Sequence, residues 1–169
     1  QALGRVDAEV NLLLLAKMCF EEALIIHRDV GDDRSEGVLL DKLAVVYADE
    51  GAYSEALELF EEAVSKHRQT GNRRLEGCAL GNTGDLYLKT GMLNEAQQFL
   101  EAAVEICAEV GYKTPEGAFL GTLAEVYART GHPSRARPCI ARGEALLRES
   151  KNQLELGKLL CHKGHIELF

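Results

Sequence analysis

Apolar residues recur three or four positions apart through most of the chain, which is the spacing of one buried face of an α-helix. Leu40, Leu43, Ala44 and Tyr47 give the clearest example, and similar spacing begins again at Leu80 and at Leu120. Each apolar segment ends at a glycine, as expected for a helix C-terminal cap. The predicted turns are evenly spaced, at Gly31, Gly51, Gly71, Gly91, Gly111 and Gly131.

The chain is built on a 40-residue repeat. The stretch Gly71–Val110 aligns with Gly31–Thr70 and with Gly111–Ser150 without any insertion. The residues that are identical in all three copies include Gly71, Glu76, Gly77, Leu80, Tyr87, Gly91 and Ala96. A fixed period in this range is typical of stacked structural units, and the helical spacing leaves no room for a strand. The sequence therefore predicts an all-α fold, an α-solenoid of antiparallel helix pairs.

We expect residues 1–169 to form a single array. Residues 31–70, 71–110 and 111–150 are complete copies, residues 1–30 are a degenerate copy, and residues 151–169 supply the first helix of a further copy. Pro138 predicts a late start or a kink in the helix that contains it, because proline removes an internal hydrogen bond. The apolar end Ile166–Phe169 is poorly suited to cap an array, so we expect the sequence to have been cut from a longer one.

Asn11 stands in the degenerate copy where the other copies have a helix-joining glycine. Asparagine adopts the left-handed turn conformation, although less readily than glycine. We therefore predict a helical hairpin turned at Asn11. The alternative is one continuous helix that presents Leu12–Leu15 to another chain.

Composition narrows the classes of function. The chain is 46% hydrophobic and 27% charged, as in globular proteins. Its formal net charge of -8 argues against nucleic acid as a partner, because phosphate binding needs a basic stripe, and mildly favours basic partner segments. Five cysteines without paired spacing predict free thiols and a cytoplasmic location. No apolar run is long enough to cross a membrane.

The repeated residues resemble the tetratricopeptide repeat. Its pattern of apolar, small and aromatic positions is matched in the second copy by Leu40, Leu43, Ala44, Tyr47, Gly51, Ala56, Phe60 and Ala63. The 40-residue period is similar to the longer-helix branch of the family, which includes Pins/LGN-type adaptors, kinesin light chains and bacterial signalling regulators. The resemblance implies a right-handed superhelix whose groove, lined mainly by first helices, binds an extended peptide or a partner helix.

The resemblance also implies which residues face the groove. They are Asp41, Lys42, Asp49, Cys78, Gly81, Asn82, Asp85, Lys89, Thr122, Glu125, Arg129 and His162. Four small residues predict a shallow floor: Cys78, Gly81, Ala118 and Gly121. Asp85 and Glu125 are expected to pair with Lys or Arg of the partner. The alternative is that the glycines of the first helices only permit tight helix packing.

Catalytic and metal sites are not expected. No nucleophile, base and orienting group can be assembled from the sequence. We interpret His27 and His67, one repeat apart, as helix-surface residues. Cys161, His162 and His165 are too few ligands for a structural zinc site, so we expect no metal and no cofactor.

The sequence thus predicts a non-enzymatic scaffold that binds a protein or peptide partner, without nucleic acid or membrane. One alternative is self-assembly through the apolar terminal helices, as a homodimer or a domain-swapped form. Another is a sensory arm of a larger signalling protein.

Overall fold

The computed structural model describes residues 2–167, with side chains from residue 13 onward. Within these residues the chain forms eight α-helices and no β-strand, which confirms the all-α class. The helices are α1 (Ala2–Val30), α2 (Asp33–Asp49), α3 (Tyr53–Gln69), α4 (Arg73–Thr90), α5 (Leu93–Glu109), α6 (Lys113–Arg129), α7 (Pro133–Glu149) and α8 (Gln153–Ile166). None of the helices in this part of the chain combines the length and apolar character needed to cross a bilayer.

The turns between helices lie where the glycines predicted them. Gly51 has a φ of 80°, its N–H donates to the Ala48 carbonyl at 3.2 Å, and the N–H of Ala52 donates to the Tyr47 carbonyl at 2.9 Å. These two bonds satisfy carbonyls at the end of α2 and reverse the chain, and they require a left-handed residue between them. The same turn recurs through α7, where Lys151 takes the glycine position with a φ of 56°.

Helix α1 runs without interruption through Asn11, so the predicted hairpin is wrong and the continuous helix is correct. The left-handed conformation costs a non-glycine residue about 1–2 kcal/mol. The leucines that follow Asn11 also favour continuation of the helix. The predicted late start at Pro138 is wrong too, since α7 begins at Pro133, in phase with α3 and α5, and continues past Pro138.

The chain divides between Gly71 and Asn72 into two compact units. In the first unit, α2 packs against both α1 and α3. Its core contains Leu24, Leu40, Leu43 and Ala63. In the second unit, α4 pairs with α5 and α6 pairs with α7, while α6 also contacts α4, α5 and α8. That both units belong to a single array over residues 1–169 stays a prediction.

Glycines allow the paired helices to approach closely. A Cβ atom placed on Gly37 would lie 2.9 Å from Cε1 of His67, and one on Gly117 would lie 2.7 Å from Cγ of Leu147. Gly77 holds the corresponding position in α4, where the added atom would lie 3.1 Å from Sγ of Cys107. In every complete copy, a glycine of the first helix therefore faces the same position of the second helix.

Candidate functional site

The second unit contains an open recess of about 460 Å³ between α4, α6 and α8. These three helices are the first helices of successive copies. The lining residues are Asp85, Leu88, Lys89, Ala118, Thr122, Glu125, Arg129, Glu155, Lys158, Leu159 and His162. Six of the side chains that the sequence assigned to a groove therefore lie together: Asp85, Lys89, Thr122, Glu125, Arg129 and His162.

Asp85 is the most unusual group in this recess. Its Oδ1 atom is buried and has no hydrogen-bond partner among the described residues. Burial raises the pKa of the Asp85 carboxyl to about 6, although a hydrogen bond from Thr122 and the charges of Lys89 and His162 oppose the shift. Removal from water disfavours the carboxylate because water solvates a charge better than the protein interior does. One oxygen of this carboxyl thus lacks a hydrogen-bond donor among the described residues.

Glu125 is already satisfied by neighbours within the protein. Its Oε2 atom lies 2.5 Å from Nδ1 of His162 on α8. Its Oε1 atom lies 3.8 Å from a guanidinium nitrogen of Arg129, one helical turn further along α6. A partner cation would therefore compete with two side chains of the chain itself for Glu125, and the pairing of Glu125 with the partner stays a prediction.

The remaining charges of the recess are divided between one ion pair and one unpaired cation. Nζ of Lys158 lies 2.8 Å from Oε1 of Glu155 on α8. Lys89 is exposed and forms no ion pair within the part of the chain that the structure describes. Apart from Asp85 and Lys89, the charged groups of the recess are therefore compensated.

The other groove residues predicted on α4 do not line the recess. Cys78 and Asn82 are half-buried, and Gly81 is buried. A Cβ atom on Gly81 would overlap the ring of Phe119, so the aromatic ring fills the space beside the glycine. The predicted shallow floor is wrong at Gly81, and the alternative of tight helix packing is correct there.

Three more predicted groove residues, Asp41, Lys42 and Asp49, belong to α2 in the first unit. Lys42 and Asp49 are exposed, but Asp41 pairs with a buried histidine: its Oδ2 atom lies 2.7 Å from Nε2 of His67. Burial raises the pKa of Asp41, and the interaction with His67 opposes this shift. The interpretation of His67 as a surface residue is wrong, since its side chain is fully buried. His27 is half-buried, and its Nδ1 atom lies 3.2 Å from Oδ2 of Asp32.

The Asp41–His67 contact could have been predicted from two positions at which the first complete copy departs from the other copies. The residues in phase with Asp41 are Gly81 and Gly121, and those in phase with His67 are Cys107 and Leu147. Of the three complete copies, only the first, residues 31–70, has ionisable oxygen or nitrogen groups at both positions. These two departures from the repeat, one on each helix of a pair, indicated a contact between the helices.

A second set of buried polar residues is structural. Glu36, Glu76 and Glu116 occupy the same position in the first turn of the first helix, and each is nearly inaccessible to solvent. Oε1 of Glu36 accepts a hydrogen bond of 2.9 Å from Arg28, and Glu116 forms an ion pair with Arg142. Buried charges need such compensation, so Glu36 and Glu116 tie neighbouring helices together, whereas Glu76 pairs with Arg73 in its own helix.

Metal binding has no structural support within residues 13–167, where no group of three His, Cys, Asp or Glu side chains could hold a metal ion. Of the residues considered as ligands, His162 pairs with Glu125, whereas Cys161 and His165 are exposed.

Two family models, both described as tetratricopeptide repeat, match residues 38–70 and 70–149. Solved structures are also similar. BtubC (BKLC) from P. vanneervenii matches with a TM-score of 0.74 and 19% identity, over 91% of this chain and 63% of that one. The kinesin light chain TPR-like repeats of Podosopora anserina match with a TM-score of 0.68 and 21% identity, over 97% and 85% of the two chains.

At such identities the structural likeness shows the fold alone. The chain spans less than two thirds of the length of the BtubC structure. A search of curated protein sequences gave no match.

Proposed function

We propose that this chain, which belongs to the tetratricopeptide repeat family, is a protein-interaction scaffold that holds a partner segment in the recess between α4, α6 and α8. The observation that carries this proposal is the convergence of six side chains from three successive first helices on one recess. Rigid helices carry these side chains, so little conformational entropy is lost by the scaffold on binding.

The partner segment is extended or helical and carries a basic side chain. Asp85 supports this chemistry because its buried Oδ1 atom has no donor within the described part of the chain. Leu88, Ala118 and Leu159 supply apolar surface beside the charged groups. A recess of mixed apolar and polar character is suited to a short segment that is fixed by a few hydrogen bonds.

A peptide-display selection tests this function. Peptides selected on the wild-type protein are expected to lose binding to Ala118→Trp, because the indole fills the recess at a half-buried lining position. Ala141→Trp, at an exposed position on α7, is the matched control and is expected to leave affinity unchanged. Peptides that bind Ala118→Trp as tightly as wild type by calorimetry would place the binding surface elsewhere.

We also propose that the chain acts without catalysis and works in the cytoplasm. The scaffold role fits a fold family whose members generally bind other proteins. All five cysteines lie among the described residues and none of them forms a disulfide, which is the usual state in a reducing compartment. A role as the sensory arm of a larger signalling protein stays a prediction.

A specific feature of α1 supports the second candidate function, self-assembly. Leu14, Leu15, Met18 and Ile25 are each more than half exposed. The in-phase residues of α3 and α5 are polar: Ser54, Glu55, Glu58 and Ser65, then Asn94, Glu95, Gln98 and Glu105. This face of α1 is therefore apolar where α3 and α5 have a polar outer surface. Its proposed occupant is α1 of a second copy.

Sedimentation equilibrium tests the assembly. The wild-type chain is expected to dimerise, and Met18→Glu with Ile25→Glu is expected to be monomeric because each charge would be buried between copies. Leu154→Glu, at an exposed position on α8, is the control and is expected to keep the dimer. A wild-type chain that stays monomeric at all concentrations would remove this candidate. The other predicted apolar end, Ile166–Phe169, lies partly outside the described residues.

A further inference from the structure

We propose that Asp85 selects one guanidinium or ammonium side chain, set between neutral or acidic residues of the partner, and that this carboxyl releases a proton when the cation binds. The inference rests on the proposed function and specifies the chemistry of the same recess. It goes further than a general preference for basic segments, because it assigns a single cation to a single acceptor.

The position of Asp85 limits the recess to one cation. Glu125 is engaged by His162 and Arg129, and Glu155 is engaged by Lys158. The buried Oδ1 atom of Asp85 is the carboxylate oxygen that lacks a donor among the described lining residues. A second basic side chain of the partner would therefore have to displace an internal cation before it found a carboxylate.

The charged groups around Asp85 come from all three helices. Lys89 lies one turn further along α4, while α6 and α8 supply the others: Glu125, Arg129, Glu155, Lys158 and His162. Of these, Lys89, Arg129 and Lys158 are exposed cations. Arg129 and Lys158 are paired with Glu125 and Glu155, so Lys89 is the cation that repels a second basic residue and attracts an acidic residue beside the inserted cation. The recess thus favours a motif in which one Arg or Lys has a Glu or Asp as its neighbour.

Proton release follows from the burial of Asp85. In the free protein the pKa of this carboxyl is about 6. A bound cation stabilises the carboxylate and lowers the pKa, so at pH values near or below about 6 the complex holds fewer protons than the free protein does. Affinity therefore rises with pH and is lost as pH falls through the free-state pKa. If the bound-state pKa is below about 4, binding at pH 5 is about tenfold weaker than at pH 7.5.

Capped tripeptides are suitable probes. The Asp85 carboxyl is followed by carbon-detected NMR while acetyl-Glu-Arg-Ala-amide is added to the full chain. We expect a fall in the Asp85 pKa and binding about tenfold weaker at pH 5 than at pH 7.5. Acetyl-Glu-citrulline-Ala-amide, which is nearly isosteric but neutral, is expected to leave the pKa unchanged. Acetyl-Lys-Arg-Lys-amide is expected to bind more weakly than the Glu-Arg-Ala probe.

Three variants assign the effect. Asp85→Asn preserves the shape of the side chain and is expected to abolish the pH dependence. Glu125→Gln is expected to keep it, because Glu125 is already paired with His162. His162→Gln is expected to keep the pH dependence of binding as well, and this variant tests whether that dependence arises from a histidine.

Two results would overturn the inference: a citrulline probe that lowers the Asp85 pKa equally, or a Lys-Arg-Lys probe that binds more tightly. The general proposal fails differently, through display-selected peptides that are insensitive to Ala118→Trp. Selected peptides that need the recess but leave the Asp85 pKa unmoved would contradict only the assignment to Asp85.

Discussion

Asp85 carries a cost in folding stability that its proposed binding role explains. Its pKa is about 6 in the folded chain, against an ordinary value of 3.8. Ionisation is therefore less favourable in the folded state than in the unfolded chain, and the native state is destabilised at pH values above about 6. A buried carboxylate that lowers folding stability is typical of a functional position, because selection for stability alone would replace it.

Asp85→Asn is therefore expected to stabilise the free protein. At pH 7.5 the free energy of unfolding should rise by about 1–3 kcal/mol, because the buried charge is gone. The gain should shrink as pH falls below about 6 and vanish below about pH 4, where the wild-type carboxyl becomes protonated in both states. Urea unfolding at a series of pH values measures this. A variant that is equally or less stable at pH 7.5 would contradict the raised pKa.

The His67–Asp41 pair is a second buried polar contact at the residue scale. His67→Leu introduces the residue found in phase at position 147, but it leaves the Asp41 carboxyl without its 2.7 Å partner. We expect a loss of about 2–4 kcal/mol in the free energy of unfolding, since removal of one partner exposes the full desolvation cost of the other.

The double variant His67→Leu with Asp41→Ala measures the coupling energy between the two side chains, apart from their contacts with other residues. Its loss should be smaller than the sum of the two single losses by about 1–2 kcal/mol, because neither partner is then left alone. Strict additivity in urea unfolding would show that the contact contributes no coupling energy.

At the scale of helices, glycines in the helix interiors have two different environments. Gly81 is pressed against the ring of Phe119, whereas an added Cβ atom on Gly157 would meet no atom within 4 Å. The first glycine is required by packing between α4 and α6. The second has no contact that requires it, so it only weakens α8.

Alanine substitutions at these two glycines are expected to have opposite effects. Gly81→Ala should lower the free energy of unfolding by about 1–3 kcal/mol, because Phe119 must move from its site. Gly157→Ala should raise it by about 0.5–1 kcal/mol through helix propensity. Thermal and urea unfolding of both variants checks the pair. Equal effects would show that the lack of room for a Cβ atom is not the reason for a glycine at position 81.

At the scale of the whole molecule, the division after Gly71 separates two compact units. The second unit contains α4 to α8, and the recess lies entirely within it. Its helices form their own core, in which Leu100, Ala103, Leu120 and Leu159 are nearly fully buried. In repeat proteins stability comes mainly from contacts within and between neighbouring repeats, so such a unit can persist alone.

A fragment of residues 72–169 is therefore expected to fold. It should give an α-helical circular dichroism spectrum and a cooperative urea transition, and it should bind display-selected peptides within about threefold of the full chain, which is roughly 0.6 kcal/mol. A non-cooperative transition would show that the second unit depends on residues before Asn72. Retained folding with lost binding would instead indicate that the first unit contributes to the site.

Periodic, local features could be predicted from the sequence. The 40-residue repeat, the helix pairs and the turns at glycine positions depend on residues that are close in the chain, and each turn needs a left-handed residue that glycine supplies best. Six groove positions came from the resemblance to the tetratricopeptide repeat, and they carry over from copy to copy because helices in phase present their residues to the same face. The sequence by itself thus determined the helix pairs of residues 31–150 and the turns at their glycines.

Only the tertiary structure decided what lies opposite each of these residues. Phe119 fills the space beside Gly81, His162 pairs with Glu125, and His67 is buried against Asp41. These outcomes depend on packing between residues far apart in the chain, and a small shift between helices changes them. The predicted turn at Asn11 is a further example. Asparagine permits both a helical and a left-handed backbone, and here the surrounding residues form a continuous helix. Asp85 became distinctive because the side chains around it were already paired with one another.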